Sequence, residues 1–83
     1  MYNYRGVLKM LAYLLVRVLE DEQGVMETLK EMEEVREVYV LFGEWDLLVK
    51  LEMPNPEMVG TFVMEKVRSI KEVKLTSTMI VAK

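Results

Sequence analysis

The segment Leu-Leu-Val-Arg-Val at 14–18 recurs, class for class, as Leu-Leu-Val-Lys-Leu at 47–51, an offset of 33 residues. A second matching pair, Val-Arg-Glu-Val-Tyr-Val at 35–40 and Ile-Lys-Glu-Val-Lys-Leu at 70–75, is offset by 35 residues. Two copies are too few for a solenoid, which needs about three or more repeats to bury a continuous core. The repeat therefore predicts one compact domain with internal pseudo-symmetry.

The composition makes association with other chains the expected source of additional stability. A single core in a chain of 83 residues seldom provides more than about 3–5 kcal/mol. The chain has no cysteine and no histidine, which removes disulfides, thiolate metal sites and the commonest metal ligand and acid–base group. We therefore expect no metal and no other cofactor, and we predict that the protein assembles with copies of itself.

Charge and hydropathy narrow the possible partners. The net charge of −3 disfavours direct nucleic-acid binding, because affinity for phosphate backbones comes from clustered Lys and Arg. No stretch approaches the ~18 uncharged apolar residues of a membrane span, so a cytoplasmic protein without a membrane partner is expected. The 30% share of charged residues and the lack of cysteine are typical of thermophile proteins.

The first half of the chain predicts a strand, a helix and a second strand. Residues 1–9 lack periodicity and are interpreted as an N-terminal tail, which leaves 10–83 as a single domain. A branched apolar run over 10–19 predicts a strand. Apolar residues at spacings of four and three predict an amphipathic helix over 24–34, and the branched residues of 35–42 predict the next strand.

A hairpin joins the two repeats, and the second repeat follows the order of the first. Residues 43–46 are a short turn that returns the chain into a strand over 47–53. Asn55 is a candidate N-cap for a helix over 56–69, and 73–82 predicts the last strand. The order βαββαβ with right-handed crossovers predicts an α+β, ferredoxin-like domain, with both helices on one face of a four-stranded antiparallel sheet.

The two faces of this sheet are predicted to differ in their partners. The helix-facing parity comprises Leu14, Val16, Val18, Val38, Val40, Leu47, Val49, Leu51 and Val73. The opposite parity carries Tyr13, Leu15, Leu19, Tyr39, Leu41, Leu48 and Ile80, interspersed with Arg17, Lys50, Lys74, Thr76 and Thr78. An apolar patch of this size on a soluble domain implies a partner. The simplest partner is a second copy of the sheet, packed face to face in a homodimer.

The sequence offers little for catalysis but has two candidate ligand-binding segments. Without His or Cys the usual nucleophilic triads cannot be assembled, and the adjacent carboxylates point apart on a helix or turn. Gly43, Glu44, Trp45 and Asp46 combine a permissive glycine, an indole and carboxylates in one turn, and Thr76 and Thr78 place hydroxyls in a strand. Together they complement the ammonium and carboxylate of an amino acid. From the residues alone, a hairpin with an interface tryptophan is the simpler explanation of the first segment, and ordinary edge-strand polarity explains the second equally well.

These segments, in their order and spacing, resemble one known family. The apolar run 12–16, the Gly24-containing turn, Gly43-x-x-Asp46 and the closing 76–81 segment are similar to the effector-binding RAM module of Lrp/AsnC (feast/famine) transcription regulators. The resemblance covers about residues 10–83. It implies a stand-alone RAM protein, because only nine residues precede the module where a DNA-binding domain would lie.

The resemblance also implies partners and a site. RAM modules dimerise through their sheets, the dimers often form octameric rings, and small effectors, usually amino acids, bind between dimers near the hairpin. It implies that 43–46 line this site with Thr76 and Thr78 as hydroxyl contacts, and that the protein associates with full-length regulators of the family. Trp45 stands where the family's hairpin often has Tyr.

Three alternatives stay open at this level. An ACT-type domain has the same topology but pairs its sheets side by side, and the apolar outer parity speaks against it. A dimeric α+β barrel enzyme needs a polar catalytic residue between sheet and helices, where this sequence places only apolar side chains. A structural oligomer without a ligand is compatible with every feature above.

Overall fold

The structure, a computed structural model, describes residues 9–82 as a four-stranded antiparallel sheet with helices on one face. The predicted tail 1–9, apart from Lys9, and the last residue of the predicted domain lie outside the described residues. Along the chain the elements are β1 (Met10–Val18), α1 (Glu22–Lys30), β2 (Val35–Val40), β3 (Leu47–Met53), α2 (Pro56–Phe62), a π-helical segment (Val63–Val67) and β4 (Val73–Ile80). The sheet order is β2-β3-β1-β4, so the predicted α+β, ferredoxin-like fold is confirmed.

The start of α1 depends on a side-chain cap that the periodicity alone does not reveal. Asp21 adopts a left-handed conformation with φ 61°, and its carboxylate accepts a hydrogen bond of 3.1 Å from the Gly24 N–H. A Cβ at position 24 would collide with this carboxylate. The cap makes the helix begin at Glu22, two residues before the predicted start, and it ends at Lys30, four residues before the predicted end.

The second helix begins as predicted but changes its winding midway. The Asn55 side chain accepts a hydrogen bond of 2.9 Å from the Met58 N–H, and Pro56 occupies the first helical position, where a missing N–H costs nothing. Beyond Phe62 the chain continues as the π-helical segment, with the Arg68 N–H donating to the Val63 carbonyl at 2.8 Å. The two segments together cover most of the predicted helix 56–69.

The core lies between the sheet and the two helices and contains no charged residue among residues 9–82. The helix-facing strand positions are buried as predicted at Leu14, Val16, Val38, Leu47, Val49 and Leu51, whereas Val18 and Val73 are partly buried. Val40 pairs with Leu47 on this parity but is 49% exposed, because it ends the edge strand β2. Val25, Leu29, Val59, Phe62, Val63 and Val67 complete the core from the helices.

The predicted parity of β4 is wrong because of a register shift near its start. Arg17 pairs with Leu75 and Val18 with Val73, which leaves Lys74 without a partner on β1. One extra residue in a strand exchanges the faces of all the residues that follow. Ile80 therefore pairs with the buried Ala12 on the helix-facing parity, and its predicted place on the open face is wrong.

The same register shift changes the face on which Thr76 and Thr78 lie. Thr76 pairs with Val16 and Thr78 with Leu14, so both lie on the helix-facing parity and not on the open face. Leu75, Ser77 and Met79 replace them, opposite Arg17, Leu15 and Tyr13 respectively. The open face is consequently apolar along β4 as well, at Leu75 and Met79.

Candidate functional site

The sheet face opposite the helices carries a contiguous band of large apolar side chains. Leu48 lies at its centre, paired with Leu15 on one side and Tyr39 on the other. The band, which we name the open face, comprises Tyr13, Leu15, Tyr39, Leu48, Leu75 and Met79, none of which is buried. Leu19 and Leu41 lie just beyond the ends of β1 and β2. Such a face would be unusual on a sheet exposed to water, where polar residues normally alternate with apolar ones.

On the same side of the sheet, the Glu37 carboxylate shapes the electrostatics of the edge strand β2, because Glu37 pairs with Lys50 and Lys50 pairs with Tyr13. The hydrogen bond that it forms with the Tyr39 phenol, with smaller contributions from desolvation and nearby charge, raises the pKa of Tyr39 above its ordinary value. Lys50 on β3 lies 3.6 Å from the same carboxylate. Tyr39 is therefore a neutral hydroxyl at physiological pH, suited to an apolar contact surface.

The hairpin of residues 43–46 is hydrogen-bonded to β1, one of the two central strands of the sheet. Gly43 has φ 145°, a conformation that an L side chain rarely adopts. The Leu41 N–H donates to the Asp46 carbonyl, and the Asp46 N–H donates to the Val16 carbonyl, each at 2.9 Å. The turn is thus anchored to β1 as well as to its own two strands.

The Asp46 side chain has a structural role at this anchor. One of its carboxylate oxygens, Oδ2, accepts a hydrogen bond of 2.7 Å from the Val18 N–H at the end of β1. A hydrogen bond to a carboxylate is stronger than one between neutral groups. Because β3 begins only at Leu47, the Asp46 carboxylate takes the place of a main-chain acceptor for the Val18 N–H. Asp46 therefore holds the hairpin in place in addition to any contact with a ligand.

Arg17 contacts the same turn at Glu44 and Trp45. Its Nε and Nη2 donate to the Glu44 carbonyl at 2.9 Å and 2.6 Å, and its guanidinium carbon lies 5.5 Å from the centre of the Trp45 ring. This distance is within the range of a cation–π contact. Arg17 belongs to the open-face parity of β1, so one side chain connects that face to the hairpin.

Substitution of Arg17 should make the hairpin less ordered without unfolding the domain. Arg17→Met keeps a long, unbranched side chain but loses the hydrogen bonds and the cation–π contact. We expect this change to lower the free energy of unfolding by about 1–2 kcal/mol. Trp45 is the only tryptophan, so its emission should shift to longer wavelength. Arg17→Lys, which keeps the charge, should give a smaller change. Urea unfolding followed by circular dichroism and by tryptophan fluorescence measures both effects, and unchanged emission in Arg17→Met would contradict the contact.

The threonines predicted to complete the site lie elsewhere. Val16 on β1 pairs with Leu47, next to the hairpin, on one side and with Thr76 on the other. Two interstrand spacings, about 10 Å in total, therefore separate β3 from β4. A single chain does not bring Thr76 and Thr78 to residues 43–46.

The hairpin nevertheless offers unused polar groups. Within residues 9–82 no hydrogen bond is formed by the main-chain N–H groups of Gly43, Glu44 and Trp45, nor by the Glu44 carboxylate. Three donors and one acidic acceptor are thus available on one anchored turn. They match the carboxylate and the ammonium of an amino acid.

Two residues of this region are not recognisable as site residues from the sequence. In the sequence, Arg17 is only a polar residue among the apolar residues of the outer parity. Its match with Lys50 in the repeat shows that the two residues occupy equivalent positions on their strands. Phe42 is predicted to lie in the second strand, but it follows β2 and is fully exposed at the turn. A large apolar side chain directly before the glycine is the available signal for a contact surface.

Among the described residues, 9–82, no cluster of three or more acidic side chains is arranged to hold a metal ion. No helix within that range is long and apolar enough to cross a membrane.

A family model and curated relatives identify the kind of domain. The model for the Lrp/AsnC ligand binding domain matches residues 11–83. An HTH-type transcriptional regulator of Pyrococcus furiosus is 39% identical over 83 residues, which cover 94% of this chain and 55% of the regulator. The chain thus spans about half the length of the curated relatives it matches. Their source in Pyrococcus agrees with the thermophile-like composition.

Solved structures agree with this assignment. FFRP-DM1 has a TM-score of 0.81 at 40% identity, covering 87% of this chain and 97% of that one. The regulator NMB0573 of Neisseria meningitidis, solved as a complex with L-Met, has a TM-score of 0.80 at 21% identity, covering 89% of this chain and 50% of the regulator, and shows the shared fold alone. The chain belongs to the Lrp/AsnC ligand-binding domain family and is related to transcription regulators.

Proposed function

We propose that this protein is an effector-binding oligomerisation module: it dimerises through the open face and binds a small amino acid between dimers at the hairpin 43–46. The observation that carries the proposal is the hairpin itself, which is firmly anchored and yet, within residues 9–82, leaves main-chain donors and the Glu44 carboxylate without hydrogen-bond partners. The match to a ligand-binding family supports it.

The open face supports the dimer. It places six large apolar side chains on one side of a sheet that has no covering layer there within residues 9–82. Burying apolar surface stabilises by roughly 25 cal/mol per Å², and a second sheet packed face to face covers such a surface symmetrically. The small core of this chain gives association a further stabilising role.

Linkage supplies the mechanism. A ligand that binds only where two dimers meet stabilises the assembled state by RT ln(1 + [L]/Kd), about 2.7 kcal/mol at a hundredfold excess over Kd. It therefore shifts the population toward the larger assembly in proportion to its differential affinity. Assembly state would report the concentration of the effector.

The direct test is thermal unfolding against each of the twenty amino acids, combined with the mass from light scattering. We expect one or a few amino acids to raise Tm and mass together. L-methionine is a natural early probe, because a regulator of the same fold was solved with it. No rise in Tm or mass with any amino acid would contradict the proposal.

Glu44→Gln is the variant that tests the site. It removes the charge expected to meet the ammonium group but leaves the Glu44 carbonyl free to accept from Arg17, so the unliganded Tm should change little while the effector-induced shift disappears. Glu31→Gln, at another exposed position just after α1, is the matched control and should keep the full shift. Asp46→Ala is less informative, because it also removes the acceptor of the Val18 N–H.

We further propose that the module co-assembles with larger regulators of its family. The 39% identity to the Pyrococcus furiosus regulator extends over nearly the whole chain, which favours similar assembly surfaces. Mixing the two purified proteins and measuring the mass of the assembly checks this. Separate masses at all ratios, with and without amino acids, would contradict it.

A further inference from the structure

A second polar feature lies on the helix side of the domain, away from the hairpin. Glu34 directly precedes β2, and its Oε2 accepts a hydrogen bond of 3.0 Å from Lys66 Nζ in the π-helical segment. Its other oxygen, Oε1, is buried and has no hydrogen-bond partner among the described residues. A buried acceptor without a donor costs free energy that a suitable donor would recover.

Glu34 forms part of the wall of two adjoining grooves. The smaller groove has a volume of about 220 Å³ and is lined by Glu34, Met53, Met58, Thr61, Phe62, Glu65 and Lys66. The larger groove, about 430 Å³, is lined by Lys9, Glu33, Glu34, Arg36 and Glu52. The Glu34 side chain is 25% exposed, so part of it is accessible from the grooves that it lines.

The lining of the smaller groove indicates what it can hold. Met58, which is exposed, forms an apolar wall with the accessible edges of the nearly buried Met53 and Phe62, and methionine side chains adapt readily to the shape of a bound molecule. Among the described residues, the groove carries two carboxylates, Glu34 and Glu65, and one ammonium, that of Lys66. Its volume is below the ~300–1,000 Å³ of sites for drug-sized ligands. A small cation with a short apolar chain fits this combination.

The Glu34 carboxylate is ionised at neutral pH. Burial raises its pKa, but the hydrogen bond from Lys66, the nearby main-chain N–H of Glu34 itself and the charge of Lys66 together outweigh that effect and leave the pKa below its ordinary value. A charged acceptor of this kind favours an ammonium donor over a neutral one.

We propose that the smaller groove is a second ligand site, which takes a primary ammonium compound with a short apolar chain. The ammonium donates to Glu34, and the chain packs on Met53, Met58 and Phe62. Both a simple alkylamine and an amino acid with an apolar side chain carry this chemistry, and Lys66 can meet the carboxylate of the latter. The site is distinct from the hairpin and does not depend on assembly.

Titration of protein labelled with ¹³C at the methionine methyl groups tests the proposal at pH 7. Pentylamine and L-norleucine are the two probes, and pentanoate, the anion of matched chain length, is the control. We expect the methyl resonances of Met53 and Met58 to shift with pentylamine, with L-norleucine or with both, and the comparison identifies the source. Met79 on the open face should not move with pentylamine. Unmoved Met53 and Met58 resonances with both probes, or equal shifts with pentanoate, would overturn the site.

Four variants separate the groove from the hairpin. Glu34→Gln should weaken binding about tenfold or more, whereas Glu31→Gln, at an exposed position outside both grooves, should not. Met58→Lys introduces a competing ammonium at an exposed groove position and should abolish binding in a folded protein. The shifts of Met53 and Met58 with pentylamine, which is not an amino acid, should be the same in Glu44→Gln as in the wild type, so the groove site is tested independently of the hairpin site. Retention of full affinity in Glu34→Gln would rule the proposal out.

Discussion

Leu48→Glu is expected to prevent the proposed face-to-face dimer and to leave folded monomers. Leu48 lies at the centre of the open face between Leu15 and Tyr39, so a face-to-face dimer would bury two carboxylates without partners. An uncompensated buried charge costs about 3–5 kcal/mol or more, which corresponds to a weakening of association by at least two orders of magnitude. In the free domain Leu48 is only partly buried, so the fold itself should tolerate the change. Sedimentation velocity over a range of concentrations measures the effect.

Met64→Glu is the matched control for this substitution. Met64 is 68% exposed and lies in the π-helical segment, on the helix side of the sheet. It should leave the mass of the assembly unchanged. If Leu48→Glu retained the mass of the wild type, or if Met64→Glu dissociated the assembly equally, association would have to use a surface other than the open face.

Phe62→Ala is expected to destabilise the domain more than any of the other substitutions. Phe62 is 4% exposed at the end of α2, and truncation of a buried phenylalanine typically costs about 3–5 kcal/mol, because it removes burial and leaves a cavity. A shift of about 4–8 °C per kcal/mol holds for a domain of this size, so Tm should fall by roughly 12 °C or more. Thermal and urea unfolding in the Leu48→Glu background excludes any contribution from association.

Phe42→Ala makes the same chemical change at a fully exposed position next to the hairpin. In the same monomeric background it should alter the free energy of unfolding by no more than about 0.5 kcal/mol. Similar losses in the two variants would mean that α2 does not pack on the sheet as described. Restoring Leu48 in Phe42→Ala then shows whether the exposed ring contributes to assembly.

Local sequence rules succeed where one short-range interaction decides the structure. Asn55 followed by Pro56 marks the start of α2 because cap and ring act within one turn, and β3 has the predicted bounds because turn residues flank it on both sides. The rules fail where an unusual backbone conformation or a longer-range contact decides. The cap at Asp21 is as local as the one at Asn55 but requires a left-handed residue, and the end of β2 at Val40 depends on how the hairpin closes.

The candidate site shows the same division. The hairpin 43–46 is recognisable in the sequence as a turn of unusual composition, and its place between two strands follows from the repeat. That Asp46 binds the Val18 N–H and that Arg17 binds the Glu44 carbonyl could not be predicted, because these pairs are 28 and 27 residues apart in the chain. In the sequence, Glu34 belongs to a run of acidic residues that predicts a solvated face. Its contact with Lys66 could not be predicted, because the two residues are 32 positions apart in the chain.

The topology and the presence of two apolar faces could be predicted from the amino-acid sequence, because the order of elements and the alternation of apolar residues are local properties repeated in both halves of the chain. The three-dimensional structure, in contrast, fixed which side chains share a face in β4, since the register shift at Lys74 depends on pairing with β1. It also decided that the hairpin is anchored by Arg17 and Asp46 while Thr76 and Thr78 lie a strand away. The physical reason is that hydrogen-bond register and side-chain packing arise between segments far apart in the chain, where no periodicity of one segment can specify them.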